Sequence, residues 1–345
     1  MPNIQDVAKQ AGVSISTVSR VLNGTAKVNN EVKKRVEASI QALDYQPNPA
    51  ARSLRTNHSR IIGLLISDIQ NPFFMRLIQG VEDEAQRHDY SLILCNSNEN
   101  PQREQQYLEV LYSERVAGAI IVPTRERLDV VTLNKFKERN VPIVVVDRRV
   151  KDKHVDAVLV DNVRGAYEAV AHLVSNGYHR IGAITGPLTV TTGRDRLEGY
   201  RQALRDAGIY NDPALERSGN FDVATGQKLA GELLQLSPPI DALFLGNNLL
   251  TLGAWKAIHA HNLKVPGDIG LVGYDETYWS SLDELSLTTV TQPVYELGSA
   301  AFLRLYQHLQ NPAIESRQEV LLAATLTVRG SSLPRPVLPI HGTRL

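Results

Sequence analysis

The sequence is short of several features that define whole classes of protein. Its 345 residues include one cysteine, Cys95, so no internal disulfide can form. No run of about 18 apolar residues occurs, and this absence argues against a membrane-spanning helix. The first ten residues, MPNIQDVAKQ, lack the basic and then apolar layout of a signal peptide. We therefore expect a cytoplasmic protein without membrane attachment, long enough for two or three domains.

The motifs of several enzyme classes are also missing. The sequence has no Walker phosphate loop, no G-x-G-x-x-G after a strand and no G-x-S-x-G elbow. Its histidines lack metal-ligand spacing, since His259 and His261 are two positions apart and cannot share a helical face. Cys95 lies in an apolar strand, where inert burial is more common than catalysis. These absences argue against an enzyme, and they leave no motif for a cofactor or metal.

What the sequence does contain is an uneven distribution of charge. The formal net charge is zero, yet residues 1–60 hold nine Lys and Arg against four Asp and Glu. This head therefore carries +5 and the remaining body −5. A basic head on an acidic body favours a polyanionic partner for the head alone. A solvated run of charge has the same composition, so charge by itself leaves both interpretations open.

Three short helices are predicted in the head from apolar residues at helical spacing. Gly12 can adopt the left-handed conformation that ends the first helix, and Ser14 can cap the second. A Gly-containing turn between two short helices is typical of a helix-turn-helix. The inward residues of the three helices are Ile4, Val7, Ala8 and Ala11, then Val18, Val21 and Leu22, then Val32, Val36, Ile40 and Leu43.

The second helix leaves short hydroxyls and one cation on its outer face. Recognition helices enter the major groove with their N-terminal end towards the base edges, where Arg20 can pair with guanine through two hydrogen bonds. The alternative is a plain three-helix bundle with a polar surface, which the basic composition argues against. The outward residues of this helix are Ile15, Ser16, Thr17, Ser19 and Arg20.

A proline-containing connector, YQPNPAARSLRTN, follows the head. Pro47 and Pro49 end the third helix, and the AARSLR stretch is too short to be a stable helix alone. Such a segment can order when something packs against it, although a simple linker has the same composition.

From Arg60 onwards the pattern changes to eight apolar strand candidates that mostly alternate with helical stretches. Continuous Val, Ile and Leu strands between helices predict an α/β fold with parallel sheets covered on both faces. Ligands of such sheets bind at the carboxyl ends of the strands. Carboxylates, guanidinium groups and aromatic rings collect there, and this combination suits a neutral polyhydroxylated ligand. For any one residue, a helix cap or an ion pair is the simpler interpretation.

Three motifs, IQDVAKQAGVSISTVSRVLNG, YQPNPAARSLR and DIQNPFF, occur in this order and together resemble the lactose/galactose repressor family of bacterial transcription regulators. The resemblance extends to LTVRGSS near residue 332. It implies an operator-reading helix-turn-helix head, a hinge, and a two-lobed body like periplasmic sugar-binding proteins. The implied boundaries are 1–46 for the head, 47–59 for the hinge, 60–161 plus 293–322 for the N-lobe, 162–292 plus 323–332 for the C-lobe, and 333–345 for a proline-rich tail.

The resemblance also implies DNA contacts for particular residues. Ile15, Ser16 and Arg20 are expected to face bases, whereas Ser14, Thr17 and Ser19 mostly contact phosphates. In the family the hinge folds as a helix on the operator, with a leucine wedged into the minor groove, here Leu54. Arg52 and Arg55 are expected near the minor groove or the backbone.

For the cleft, the resemblance to ribose-binding members implies a ten-residue effector site. Its members are Asn71, Phe73, Phe74, Asp147, Arg148, Arg196, Phe221, Asn247, Asp275 and Gln292. A ribose-like monosaccharide is the first expectation. A sugar acid or a larger sugar is the alternative, because Asn248 stands where relatives commonly have Asp and Trp279 is unusual. Purine binding is disfavoured, because Val190 stands where purine-responsive relatives have Arg.

The expected partners are double-stranded operator DNA, a small effector and a second copy of the chain. Family members dimerise through their bodies, and the tail here contains three prolines, so it cannot form the leucine heptads of the tetrameric members. The expected mechanism is allosteric, with the effector changing the closure of the lobes. The alternatives are a sugar-binding protein without a regulatory role and a regulator whose effector is a protein.

Overall fold

The structure is a computed structural model that describes residues 2–23, 28–45, 59–152, 155–282, 286–312 and 317–334. It divides into two compact units, Met1–Ser59 and Arg60–Leu345. The hinge residues Arg52, Leu54 and Arg55 and nearly all of the tail lie outside the described residues. None of the described helices is long and apolar enough to cross a membrane.

The first unit contains α1 (Ile4–Ala11), α2 (Ile15–Asn23) and α3 (Asn30–Ala42). Asn3 caps α1 by accepting the backbone N–H of Gln5 and Asp6, and the Asp6 carboxylate accepts the N–H of Asn3. Gly12 ends α1 with φ 63°, in the left-handed region, as predicted. These local features fix where α1 begins and where it ends.

The head core forms where the apolar faces of these three helices meet. Val7, Val18 and Val36, one from each helix, are fully buried, and Ala8 and Ala11 join them. The other inward residues predicted from the periodicity pack around this centre and are partly buried; they are Ile4, Val21, Leu22, Val32, Ile40 and Leu43. The predicted helix-turn-helix is confirmed.

The second unit contains two six-stranded sheets with helices on both faces, which confirms the predicted α/β class. The strands of the first sheet are β1 (Ile61–Ile66), β2 (Ser91–Asn96), β3 (Gly118–Ile121), β4 (Ile143–Val146), β5 (Asp156–Val160) and β11 (Glu319–Leu322). Their order is β11-β5-β4-β3-β1-β2, and all neighbours are parallel. The accompanying helices are α4 (Pro72–Arg87), α5 (Pro101–Ser113), α6 (Val130–Glu138) and α11 (Val294–Gln310). We refer to this sheet with its helices as the first lobe.

The second lobe repeats this arrangement. Its strands are β6 (Ile181–Thr185), β7 (Glu216–Ser218), β8 (Ala242–Leu245), β9 (Gly270–Tyr274), β10 (Thr288–Thr291) and β12 (Thr325–Thr327). The order is β12-β10-β9-β8-β6-β7, and only β12, on β10, is antiparallel among these described strands. The helices are α7 (Asn162–Ser175), α8 (Thr191–Asp206), α9 (Val223–Leu234) and α10 (Asn248–Ala260).

The inner strands of each sheet, with the exception of β10, are buried on both faces because they are almost entirely apolar. Residues of β1 alternate between two cores of the first lobe, with Leu64 on one face and Leu65 on the other. Phe244 and Leu243 of β8 divide in the same way between the two cores of the second lobe. Burial of this kind fixes each strand end, and so the position of the polar residue that follows it.

Four strands and two helices of the body were not among the predicted elements: β7, β10, β11, β12, α6 and α11. The strands are short, three or four residues, and β7 and β11 carry charged residues at sheet edges. The segments of β7, β10 and β12 have no apolar run, so these strands depend on pairing with their neighbours in the sheet, whereas β11 contains the apolar run VLL. Helix α11 packs its buried face, including Leu297 and Phe302, on the first lobe although it follows β10 of the second.

Candidate functional site

The outer face of α2 brings together the residues that were predicted to contact DNA. Ser14 precedes the helix, and its Oγ accepts the N–H of Thr17 at 3.2 Å, which is the predicted cap. The same oxygen lies 2.7 Å from Ser16 Oγ and 2.9 Å from Thr17 Oγ1. Three hydroxyls are therefore gathered at a helix N-terminus, where the free N–H groups favour an anion.

The exposure of α2 follows its periodicity. Ile15 is 39% exposed, an unusual position for a large apolar side chain, and Ser16 and Arg20 are exposed as well. Thr17 and Ser19 are half-buried, and Val18 is fully buried in the head core. The helix thus presents an apolar residue, hydroxyls and a guanidinium on one accessible surface.

The body holds a cavity between the two lobes, at the carboxyl ends of their strands. Its empty volume is about 350 Å³, including its opening to solvent. All of the predicted effector residues line it: Asn71, Phe73, Phe74, Asp147, Arg148, Arg196, Phe221, Asn247, Asp275 and Gln292. Residues separated by up to about two hundred positions therefore meet at one place.

Asp68, Glu99 and Thr192 complete the lining, and none of them was in the predicted site. Glu99 comes three residues after β2 and Asp68 two residues after β1. Ligands of parallel sheets bind at the carboxyl ends of strands, and this rule applied to β2 would have indicated Glu99. Thr192 lies in the first turn of α8, one turn before Arg196.

Helix caps hold two of the lining amides. Asn71 caps α4 by accepting the N–H of Phe73 at 3.0 Å, and Asn247 caps α10 by accepting the N–H of Leu250 at 2.8 Å. Both residues stand in extended conformation directly before a helix, which is the position where Asn is favoured. The capping bonds fix each side chain at the edge of the cavity.

The two aspartates occupy equivalent places in the two lobes. Asp147 follows β4 with φ 68°, and Asp275 follows β9 with φ 73°. Left-handed backbone at a residue other than glycine costs energy and is concentrated at functional sites. Both carboxylates are buried, and Gln292 donates a hydrogen bond from Nε2 to Asp275.

Arg148 is buried and held mainly by one carboxylate. Its Nη1 and Nη2 donate to the two oxygens of Glu99 at 2.7 and 2.5 Å, and Nη1 also donates to the carbonyl of Pro123 at 3.2 Å. Its Nε lies 3.6 Å from Asp147 and makes no hydrogen bond. The Phe221 ring lies 5.7 Å from the guanidinium carbon.

Arg196 is anchored within the second lobe. Its Nε donates to Asn162 at 2.7 Å and its Nη1 to the carbonyl of Gly246 at 2.5 Å. The Tyr274 ring lies 3.8 Å from its guanidinium carbon, and Asp275 is 4.0 Å from Nη1. These contacts hold a cation over the cavity, where it can donate further hydrogen bonds in a fixed direction.

Burial changes the acidity of the lining carboxyls. Burial raises the pKa of Asp147 to about 6, against the opposing effects of Arg148 and Arg196. Burial likewise raises the pKa of Asp275, and Arg196, Gln292 and the Asn248 backbone N–H oppose it. Burial would also raise the pKa of Glu99, but the Arg148 guanidinium outweighs that effect and leaves the pKa below its usual value.

Three buried polar atoms of the lining have no hydrogen-bond partner: Arg148 Nε, Thr192 Oγ1 and Gln292 Oε1. They comprise a donor, a hydroxyl and an acceptor, and such groups are costly to leave unpaired. Aromatic rings complete the surface, with Phe73 and Phe74 edge to face at 5.0 Å. The Phe221 ring packs directly on Gly186, where any side chain would collide with it.

Two residues left open by the sequence are placed outside this lining. The Trp279 ring packs edge-on against Tyr278 at 5.0 Å, and Asn248 is buried beside the cavity. Cys95 is buried, and burial raises the pKa of its thiol, which makes it a poor nucleophile. Within the described part of the chain no cluster of His, Cys, Asp and Glu could hold a metal ion.

A basic helix-turn-helix head and a two-lobed α/β body with a polar cavity at its strand ends define a class of protein, the DNA-binding regulators that respond to a small ligand. Residues 3–48 match the model of bacterial regulatory proteins of the lacI family, and residues 59–327 match that of periplasmic binding proteins and the sugar-binding domain of the LacI family. The chain belongs to the LacI family, as its motifs implied.

Known relatives cover nearly the whole chain. The ribose operon repressor of Escherichia coli K12 is 36% identical to this chain, and the match covers 96% of this chain and 100% of that repressor. The lac repressor dimer bound to operator and an anti-inducer superposes with a TM-score of 0.83, at 29% identity over 96% of this chain and 99% of that one. A LacI family regulator from Enterococcus faecium with bound ribose superposes with a TM-score of 0.72. It is 29% identical, and the match covers 80% of this chain and 100% of that one.

Proposed function

We propose that this protein is a dimeric, non-enzymatic repressor that binds an operator through its head and a neutral monosaccharide, with ribose as the first candidate, in the cavity between its lobes. The observation that carries the proposal is the cavity itself. Ten residues inferred from sequence line it together, and three of its buried polar atoms lack a partner. The names of the E. coli relative and the ribose-bound neighbour support the choice of sugar.

Each group in the cavity has a role that suits a sugar ring. Asp147 and Asp275 accept hydrogen bonds from hydroxyls, and Arg148 Nε and Arg196 donate to ring or hydroxyl oxygens. Asn71, Asn247 and Gln292 exchange hydrogen bonds with the remaining hydroxyls. The Phe73, Phe74 and Phe221 rings cover the C–H faces.

The head and hinge carry the second half of the proposal. Arg20, Ile15 and Ser16 contact bases, and Ser14, Thr17 and Ser19 contact phosphates at the N-terminus of α2. Arg52, Leu54 and Arg55 act in the hinge, with Leu54 entering the minor groove. The sugar stabilises one closure state of the lobes and thereby weakens operator binding, by an amount typical of allosteric coupling, about 1–3 kcal/mol.

The experiment uses the full chain. Duplexes selected from a random library by the protein provide its operator, and fluorescence anisotropy measures affinity with and without added sugars. A thermal-shift panel of pentoses, hexoses, sugar acids and purines identifies the ligand, since a ligand bound by the folded state raises the melting temperature. A sugar that raises the melting temperature and weakens operator binding supports the proposal. A response to purines alone, or to none of these compounds, contradicts it.

A further inference from the structure

Glu99 is a lining residue to which the proposed function gives no role. Both of its carboxylate oxygens accept hydrogen bonds from the Arg148 guanidinium, at 2.7 and 2.5 Å. Such a bidentate pair is among the strongest ion pairs in proteins. The Arg148 side chain is 4% exposed, whereas that of Glu99 is 34% exposed. Glu99 therefore lies towards the accessible side of the cavity, in front of the buried cation.

The backbone around Glu99 is built to hold this position. Asn98 and Glu99 both have left-handed φ, 53° and 52°. The Glu99 N–H donates to the carbonyl of Ser67 at 2.8 Å, which ties the turn after β2 to the end of β1. Two consecutive residues in a costly conformation indicate a side chain that the surrounding structure holds in place.

The pairing determines which groups a ligand can reach. An anionic sugar needs a guanidinium with two parallel N–H groups free, or an excess of positive charge. On Arg148 the edge formed by the two terminal nitrogens is engaged by Glu99, and the edge formed by Nε and the second N–H of Nη2 remains for a ligand. The lining carries four carboxyls against two guanidinium groups; they are Asp68, Glu99, Asp147 and Asp275 against Arg148 and Arg196.

We propose that Glu99 determines the charge of the ligand by excluding sugar acids and sugar phosphates, so that Arg148 is left to bind a hydroxyl through Nε. The inference rests on the proposed function, because it assumes that the cavity binds a sugar. A ligand carboxylate on the remaining edge of Arg148 would lie close to the Glu99 carboxylate and to the other carboxyls of the lining, and the like charges would oppose its binding. A neutral hydroxyl meets no such cost, and it satisfies the unpartnered Nε.

The test compares neutral sugars with their charged counterparts on the full chain by isothermal titration calorimetry. The matched pairs are glucose and glucuronate, galactose and galacturonate, and ribose and ribose 5-phosphate. For the wild-type protein we expect the neutral member of any pair that binds to be favoured. In Glu99→Ala the ratio of the neutral-sugar affinity to the charged-sugar affinity should fall by about tenfold or more. The terminal nitrogens of Arg148 are then free of Glu99, and the cavity carries one negative charge less.

Asp68→Asn is the matched control, since Asp68 lines the same cavity and the variant removes one negative charge without freeing Arg148. It should change the ratio by clearly less than Glu99→Ala. Glu99→Gln, which keeps the side-chain size, serves as a second variant, and melting curves without ligand show whether each variant is folded. The ratio of affinities is the decisive quantity, because a structural defect would weaken both members of a pair together.

Each outcome separates this inference from the proposed function. Wild-type protein that binds a sugar acid as tightly as its neutral counterpart overturns the role of Glu99 and leaves the sugar-responsive repressor intact. An affinity ratio that is unchanged in both Glu99 variants also overturns the role of Glu99. So does a change of the ratio in Asp68→Asn that equals the change in Glu99→Ala. Wild-type protein that binds none of these pairs and no other sugar of the thermal-shift panel overturns both proposals.

Discussion

Asn248 in the second lobe donates a hydrogen bond from Nδ2 to Oδ1 of Asn71 in the first lobe, at 2.9 Å. Both side chains are buried, and Asn71 Oδ1 also accepts the N–H of Phe73. The bond therefore links the N-terminus of α10 to the cap of α4 at the edge of the cavity. It gives a structural role to Asn248, which the sequence left open.

Asn248→Ala removes this link between the lobes. We expect effector affinity to fall by about threefold to tenfold, because one hydrogen bond contributes about 0.5–1.5 kcal/mol to the closed arrangement. Calorimetry with the identified sugar measures the change. Asn176→Ala, which removes a half-buried amide at the end of α7, is the control. Equal affinities for Asn248→Ala and wild type would show that the bond does not contribute to closure around the ligand.

Arg20→Ala removes the only guanidinium on the described part of α2. Operator affinity should fall by about 1–3 kcal/mol and discrimination should relax at one base pair in each half-site, because a two-bond contact with a base is lost. Binding to the selected duplex and to its single-base variants measures both effects. Lys33→Ala, on α3, removes one exposed charge and should weaken binding without altering base preference. A full sequence preference in Arg20→Ala would contradict the assigned base contact.

Arg196→Lys keeps a positive charge but cannot reproduce the contacts of Nε with Asn162 and of Nη1 with Gly246 together. We expect sugar affinity to fall by at least about tenfold, since the donors no longer have a fixed direction. Operator binding without sugar should persist. Arg205→Ala, exposed on the same helix, is the control. A normal dose–response of operator release to sugar in Arg196→Lys would remove this residue from the site.

Effector affinity should decrease as the pH falls below about 6. Sugar hydroxyls that donate to Asp147 favour its ionised form, whereas burial raises the pKa of this carboxyl to about 6. Binding must then release a proton, which costs up to about tenfold in affinity for each pH unit below the pKa. Asp275, whose pKa is also raised by burial, adds an effect of the same sign. Calorimetry between pH 5 and 8 measures the slope.

The variant Asp147→Asn should flatten this pH profile, and Asp195→Asn, a carboxyl on α8 outside the lining, should not. Protonation of Asp147 favours the folded state, whereas it opposes sugar binding. Because the folded pKa of Asp147 lies above the unfolded value near 3.8, its contribution to stability is present at acid pH and is lost as the pH rises through about 4 to 6. A pH-independent affinity in the wild-type protein would contradict the role given to Asp147.

Much of the site was predictable because its residues occupy positions with local rules. Asn71 and Asn247 precede helices and cap them, and Asp147 and Asp275 directly follow apolar strands. The partners of these residues were not predictable. Arg148 was assigned to the ligand, and the structure shows that Glu99, 49 positions away, already holds its two terminal nitrogens.

The sequence by itself determined most of the helices and the longer apolar strands, because helix period, strand hydrophobicity, capping residues and left-handed glycine act over a few neighbouring residues. It also determined the class of protein, through the order of its motifs. Only the tertiary structure decided which polar groups meet across the cavity, such as Asn71 and Asn248, 177 positions apart. It also decided that short segments such as β11 and β12 become strands. Those pairings depend on how the two lobes pack and on which backbone edges remain free, and neither is encoded in any local stretch of the chain.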